Sequence, residues 1–140
     1  HTKVPDEAAH TGDPEKKKAA VSMLDTGLRQ LVDAVESRRD ELVVAITADH
    51  STPSVSRLIH SGEPVPLTLV GKNVRRDEVS VYDEIHAASG CLGFLRGGEL
   101  MFMLLNYADR SALLGHYLDS RKTSYVPKAY TPFRLVGASR

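Results

Sequence analysis

The stretch LVVAITADHSTP, residues 42–53, decides the fold class of this chain. Its first seven residues, 42–48, contain no charge and no alternation of apolar and polar positions. Such a run is typical of a strand covered on both faces, as in the parallel sheets of α/β proteins. The residues that follow, DHSTP, are polar or turn-forming. We therefore predict a buried strand that ends where a carboxylate and an imidazole begin a loop.

A long amphipathic helix is predicted before this strand. Asp13 followed by Pro14 is a typical helix start, because Asp caps the first turn and Pro fits its first position. Apolar residues then recur at spacings of three and four as far as about residue 39: Ala20, Leu24, Leu28, Leu31, Val32 and Val35. Residues 1–4 are interpreted as the end of an earlier strand, so the order strand–helix–strand predicts a right-handed parallel crossover. Residues 64–71 predict another strand, and residues 99–107 and 111–118 predict helices.

Length and composition exclude several classes of protein. The 140 residues, 41% of them hydrophobic, suit one compact domain. Eighteen basic residues balance eighteen acidic ones, which argues against a broad electropositive surface for nucleic acid. The longest apolar runs, such as residues 42–48, are far shorter than the ~20 residues of a membrane span. A single cysteine, Cys91, forms no intramolecular disulfide, which fits a reducing compartment, so we expect a cytoplasmic protein. Because the charges balance and the apolar runs are short, we expect neither nucleic-acid nor membrane partners.

Carboxylates and histidines recur at the predicted ends of strands. Asp6 and His10 are four residues apart, so one helical turn would place them on the same face. Asp49 and His50 follow the buried strand directly, at the sheet edge where α/β proteins bind ligands, and His60 comes ten residues later. Carboxylates with neutral imidazoles suit a borderline divalent ion such as Mn²⁺ or Zn²⁺. The pattern predicts a metal site, although each residue alone also fits a cap, a turn or a solvated polar role.

Three motifs around these residues occur in series: HTKVPDEAAHTGD at 1–13, TADHSTP at 47–53 and HSGEPVP at 60–66. In this order and spacing they resemble the cofactor-independent phosphoglycerate mutases of the archaeal type, which belong to the alkaline phosphatase superfamily. Residues 83–97 are similar to that family's glycine-containing C-terminal segment. The resemblance covers about residues 1–107 and leaves residues 121–140 unplaced. Ala9 stands where the family usually has Gly, a change that a negative φ tolerates.

The resemblance implies an α/β fold, the alkaline-phosphatase-like three-layer sandwich, with two divalent metal ions. Mn²⁺ is the first expectation, with Mg²⁺ and Zn²⁺ as alternatives. Asp6, His10 and His60 would be the protein ligands of one ion, and Asp49 and His50 would be two ligands of the other. The second set is incomplete within residues 1–140, because the family takes an Asp and its nucleophilic Ser for this site from a segment that has no counterpart here. Lys3 would approach a phosphate or carboxylate as a point charge, although a surface lysine is equally expected there.

The resemblance also implies a reaction, the interconversion of 2- and 3-phosphoglycerate through a phosphoserine intermediate between two metal ions. The family's nucleophilic serine segment has no counterpart in residues 1–140. We therefore expect one incomplete domain, the C-terminal part of the phosphatase-like domain, that is inactive by itself. Two alternatives stay open. The parent could be another phosphotransferase or phosphohydrolase of the superfamily, or the chain could be a non-catalytic domain that self-associates through uncovered apolar surface.

The remaining reactive side chains are expected to be structural. His86 and His116 lack a neighbouring ligand pattern, and Cys91 is predicted to be a small buried residue. The tail from residue 121 carries five basic residues and no acidic one. Its tyrosines are expected to pack on the domain while its charges stay in water.

Overall fold

The computed structural model describes residues 1–113, 122–124 and 129 of the chain. The elements in chain order are α1 (Val4–His10), α2 (Pro14–Ser37), β1 (Val43–Ile46), β2 (Thr68–Gly71), α3 (Glu84–Ala87), α4 (Gly97–Tyr107), β3 (Ser111–Leu113) and β4 (Lys122–Ser124). β1 and β2 pair antiparallel, with Val43 opposite Gly71, and β3 pairs antiparallel with β4. Helices and short strands are thus combined, as in the predicted α/β class.

Helix α2 begins where the sequence predicts it. The Asp13 carboxylate accepts hydrogen bonds from the backbone N–H groups of Glu15 at 3.0 Å and Lys16 at 3.4 Å. These two donors have no partner within the helix, so the carboxylate stabilises its first turn. Ala20 and Val35, both on the predicted apolar stripe, are buried. The helix prediction is therefore confirmed, with its end at Ser37.

The predicted parallel crossover is wrong for the described residues. Residues 1–3 form no strand, and α1 begins at Val4, whose N–H donates to the Thr2 hydroxyl at 3.3 Å. Pro5 in the first turn has a φ preset for a helix, which explains why this segment is helical. β1 has four half-buried residues rather than a run buried on both faces. The strand predicted at 64–71 is confirmed at Thr68–Gly71, but it runs antiparallel to β1.

Two other predictions in the second half of the chain need correction. The helix predicted at 99–107 is confirmed as α4. The helix predicted at 111–118 is wrong in its described part, because Ser111–Leu113 form strand β3. Asp109 has a φ of 55°, which ends α4 and turns the chain into this strand. Cys91 is exposed rather than buried, and its N–H donates to the Asp77 carboxylate at 2.9 Å. His116, residues 114–121 and most of the tail lie outside the described residues.

The core that the described residues form is small. Its buried apolar members are Ala9, Ala20, Val35 and Leu69. Large apolar side chains such as Val55, Ile85 and Phe94 remain 75–85% exposed. Self-association through such surface stays a prediction. Within the described ranges, no helix is both long and apolar enough to cross a membrane.

Candidate metal centre

The hairpin of α1 and α2 presents the first two predicted ligands. Gly12 turns the chain with a φ of 73°, a conformation that glycine adopts without steric cost. Ala9, 2% exposed and at negative φ, is small enough to let α1 pack closely against α2. Asp6 Oδ1 lies 3.3 Å from His10 Nε2, so the two side chains share one helix face. Their spacing in the sequence predicts this arrangement.

A single β-bridge brings the next two histidines together. Ser61 donates its N–H to the carbonyl of Ser51 at 3.0 Å, in an isolated antiparallel bridge. These serines directly follow His60 and His50. The imidazole rings of the two histidines are consequently stacked at a tilt, with their centroids 3.9 Å apart.

Side-chain hydrogen bonds join the end of β1, which leads to this bridge, to the segment that precedes β2. The Thr47 hydroxyl donates to the carbonyl of Pro66 at 3.0 Å. The Tyr82 hydroxyl lies 3.1 Å from the same carbonyl and 3.2 Å from that of Ile46. Partial burial and the nearby Glu84 carboxylate raise the pKa of Tyr82, which keeps its hydroxyl protonated as a donor. The end of β1 is thereby fixed beside the segment that enters β2.

Asp6, His50 and His60 converge on one point. One ligand atom from each lies within 4.8 Å of the others, and Asp6 Oδ1 is 3.6 Å from His60 Nε2. One carboxylate oxygen with two imidazole nitrogens is a donor set that fits a borderline divalent ion. His10 lies beside the trio, its ring centroid 5.4 Å from that of His60. The structure thus groups His50, predicted for a second ion, with two ligands predicted for the first.

The remaining predicted site residues lie at the exposed border of this cluster. Asp49 Oδ2 is 3.6 Å from His50 Nε2 and 4.0 Å from Lys3 Nζ. The side chains of Lys3 and Asp49 are more than half exposed, at 54% and 61%. The division of ligands between two ions, and the contact of Lys3 with a substrate anion, stay predictions.

Thr52 contacts this cluster, although its sequence position alone does not single it out. It is only 5% exposed, and its hydroxyl donates to Asp6 Oδ1 at 2.7 Å. This hydrogen bond, together with the nearby histidines, holds the pKa of Asp6 below its ordinary value, so the carboxylate stays ionised. The motif TADHSTP contains Thr52, but no local pattern places it beside a residue 46 positions away.

Comparison with known proteins gives this cluster its context. Residues 1–107 match the family described as the Metalloenzyme superfamily. The chain belongs to this superfamily. Membership agrees with the metal-type donor set formed by Asp6, His50 and His60.

Archaeal mutases are among the relatives of this Metalloenzyme-superfamily chain. It is 48% identical over 128 residues to 2,3-bisphosphoglycerate-independent phosphoglycerate mutase 2 of Methanocaldococcus jannaschii, covering 91% of this chain and 28% of the relative. It is 43% identical over 112 residues to the corresponding mutase of Methanopyrus kandleri, covering 79% of this chain and 26% of the relative. The resemblance identified from the sequence motifs is confirmed. The chain spans little more than a quarter of the length of these relatives.

A solved structure supports the same assignment. The structure of the PH0037 protein from Pyrococcus horikoshii is similar with a TM-score of 0.68 and 33% sequence identity, covering 80% of this chain and 33% of that chain. Together with superfamily membership, this likeness confirms the predicted α/β, alkaline-phosphatase-like fold class.

Proposed function

We propose that this chain supplies the metal-binding part of a phosphoglycerate mutase that interconverts 2- and 3-phosphoglycerate. The observation that carries the proposal is the convergence of Asp6, His50 and His60 in a chain 48% identical to a protein named as such a mutase. Each of the three sequence motifs contains one of these residues, and the bridge between Ser51 and Ser61 joins the second motif to the third in space.

The proposed cofactor is a pair of divalent ions, with Mn²⁺ preferred because the donor set mixes a carboxylate with imidazoles. Asp6 would supply an anionic oxygen, and His50 and His60 would supply neutral nitrogens. His10 and Asp49 flank this trio and are the other two ligands proposed within this chain. Bound ions would lower the pKa of a hydroxyl nucleophile and neutralise phosphoryl oxygens. Lys3, close to Asp49, would add a point charge for a substrate anion.

A chimera tests this function. The matched 128 residues of this chain replace the corresponding stretch of the M. jannaschii relative, and conversion of 3-phosphoglycerate is assayed with Mn²⁺. We expect turnover by the chimera and a loss of at least about 100-fold in its His60→Ala variant, because one metal ligand is removed. Turnover of generic phosphoesters alone would instead favour another phosphotransferase or phosphohydrolase of the superfamily. A folded chimera that is inactive on all of these substrates would contradict the proposal.

The isolated 140-residue chain is expected to show no turnover of 3-phosphoglycerate. Its sequence offers no counterpart of the family's nucleophilic serine segment, and metal ligands alone provide no acceptor for the phosphoryl group. A coupled assay on the purified chain, with the chimera as positive control, measures this. Turnover that persists in the His60→Ala variant of the isolated chain would indicate a contaminating mutase, whereas turnover that the variant loses would refute the expectation.

A further inference from the structure

One buried hydroxyl connects two of the three converging side chains. Among the residues that the structure describes, Thr52 is the one buried polar residue. Its Oγ1 atom lies 2.7 Å from Asp6 Oδ1 and 3.1 Å from His50 Nδ1. Asp6 belongs to α1 and His50 follows β1, so the hydroxyl joins elements that are distant in sequence.

A single proton decides the direction of both hydrogen bonds. The hydroxyl has one proton, and an ionised carboxylate only accepts. The proton therefore points to Asp6, and the Thr52 oxygen accepts from the Nδ1–H of His50. A neutral imidazole that donates through Nδ1 carries its lone pair on Nε2. Asp49 Oδ2, at 3.6 Å from Nε2, is too distant for a hydrogen bond that would favour the opposite tautomer.

A lysine from α2 fixes the backbone of the same residue. The Lys17 ammonium donates to the Thr52 carbonyl at 2.6 Å, and this contact is partly buried. Such a charge-assisted hydrogen bond is among the stronger ones in proteins. α2 packs against α1, which carries Asp6, so Lys17 ties the loop of His50 to the hairpin of Asp6.

We propose that Thr52 is the positioning residue of this metal site and that Lys17 holds its peptide. The hydroxyl keeps His50 in the Nδ1–H tautomer, so that Nε2 is the nitrogen offered to the ion, and fixes the Asp6 carboxylate beside it. Partners of this kind orient metal ligands and set their tautomer. The inference rests on the proposed metal function of Asp6, His50 and His60.

The tautomer of His50 tests the proposal without any metal. Imidazole ¹⁵N shifts are recorded on the metal-free chain at about pH 8, above the ordinary titration range of histidine. We expect the Nδ1–H pattern for His50 in wild type and in Thr52→Ser, which keeps the hydroxyl. Thr52→Val, which has nearly the same shape, is expected to shift the ring towards the Nε2–H form. Far-UV circular dichroism confirms that each variant is folded.

Mn²⁺ affinity, measured by calorimetry, is the second readout. Thr52→Val is expected to weaken binding by about 10- to 100-fold, as for other partners of metal ligands, whereas Thr52→Ser stays close to wild type. Lys17→Met is expected to cause a smaller loss. Lys16→Met is its matched control, because Lys16 is exposed on the same helical turn and should leave the affinity unchanged.

The two readouts separate this inference from the proposed function. A wild-type chain that binds no Mn²⁺ would contradict the metal site, while the nitrogen shifts would still decide whether Thr52 sets the tautomer. A wild-type chain that binds Mn²⁺, with Thr52→Val matching it in both affinity and tautomer, would overturn the role of Thr52 and leave the metal site intact. If Thr52→Val does not fold, Lys17→Met provides the test. Wild-type Mn²⁺ affinity and a wild-type His50 tautomer in that variant would overturn the proposal that Lys17 holds the peptide of Thr52 in place for this site.

Discussion

Mn²⁺ is expected to raise the unfolding temperature of the wild-type chain and to leave that of Asp6→Ala unchanged. At a free ion concentration of about 100 times Kd, binding to the folded state adds about 2.7 kcal/mol. For a domain of this size, this corresponds to roughly 5–10 °C. EDTA should return the wild-type protein to its metal-free midpoint. Asp6→Ala is expected to lose the whole shift in unfolding temperature, because Asp6 is the carboxylate on which the site converges, within 3.6 Å of His10 and His60.

Two further variants sharpen this prediction. Asp6→Asn keeps an oxygen that can accept from Thr52 but removes the negative charge, so it should also lose the Mn²⁺-dependent shift. Asp33→Ala removes an exposed carboxylate on α2 and should respond to Mn²⁺ as wild type does. Comparing each protein with and without the ion removes any effect of the substitution on the metal-free fold. An undiminished shift in Asp6→Ala would place the ion elsewhere.

The second large effect is expected from the small core. Leu69→Ala should lower the free energy of unfolding by about 2–4 kcal/mol, since the substitution removes buried methyl groups and leaves a cavity. Leu69 is 8% exposed and is one of few buried apolar residues in the described part of the chain. Urea denaturation followed by circular dichroism measures the change.

The neighbouring residue on the same strand provides the matched control. Val70 points to the other face of β2 and is 37% exposed, so Val70→Ala should cost clearly less. Leu69 lies opposite Ala45 in β1, which leads directly into the loop of His50. Because Leu69→Ala lowers the fraction of folded chain, this variant is also expected to bind Mn²⁺ more weakly. Equal losses of stability in the two variants would show that Leu69 is no more important to the core than an exposed residue.

Local rules account for what could be predicted from the sequence. The cap at Asp13 and the apolar spacing that follows it depend on residues within a few positions of each other, and α2 forms accordingly. The spacing of Asp6 and His10 depends on one helical turn. The motifs are also linear, so they identify the family and the chemistry of the ligands without reference to the fold.

Contacts between distant residues decided the rest. An apolar run such as residues 42–48 indicates a strand but not the direction of its partner, and the partner here is antiparallel because the chain returns through the bridge of Ser51 and Ser61. The grouping of His50 with Asp6 depends on the same return and on the hydroxyl of Thr52. Sequence alone thus provides the ligand types, because side-chain chemistry is a local property. Their arrangement around one point, and the part played by Thr52 and Lys17, required the tertiary structure, because only folding brings together residues that are 46 and 35 positions apart.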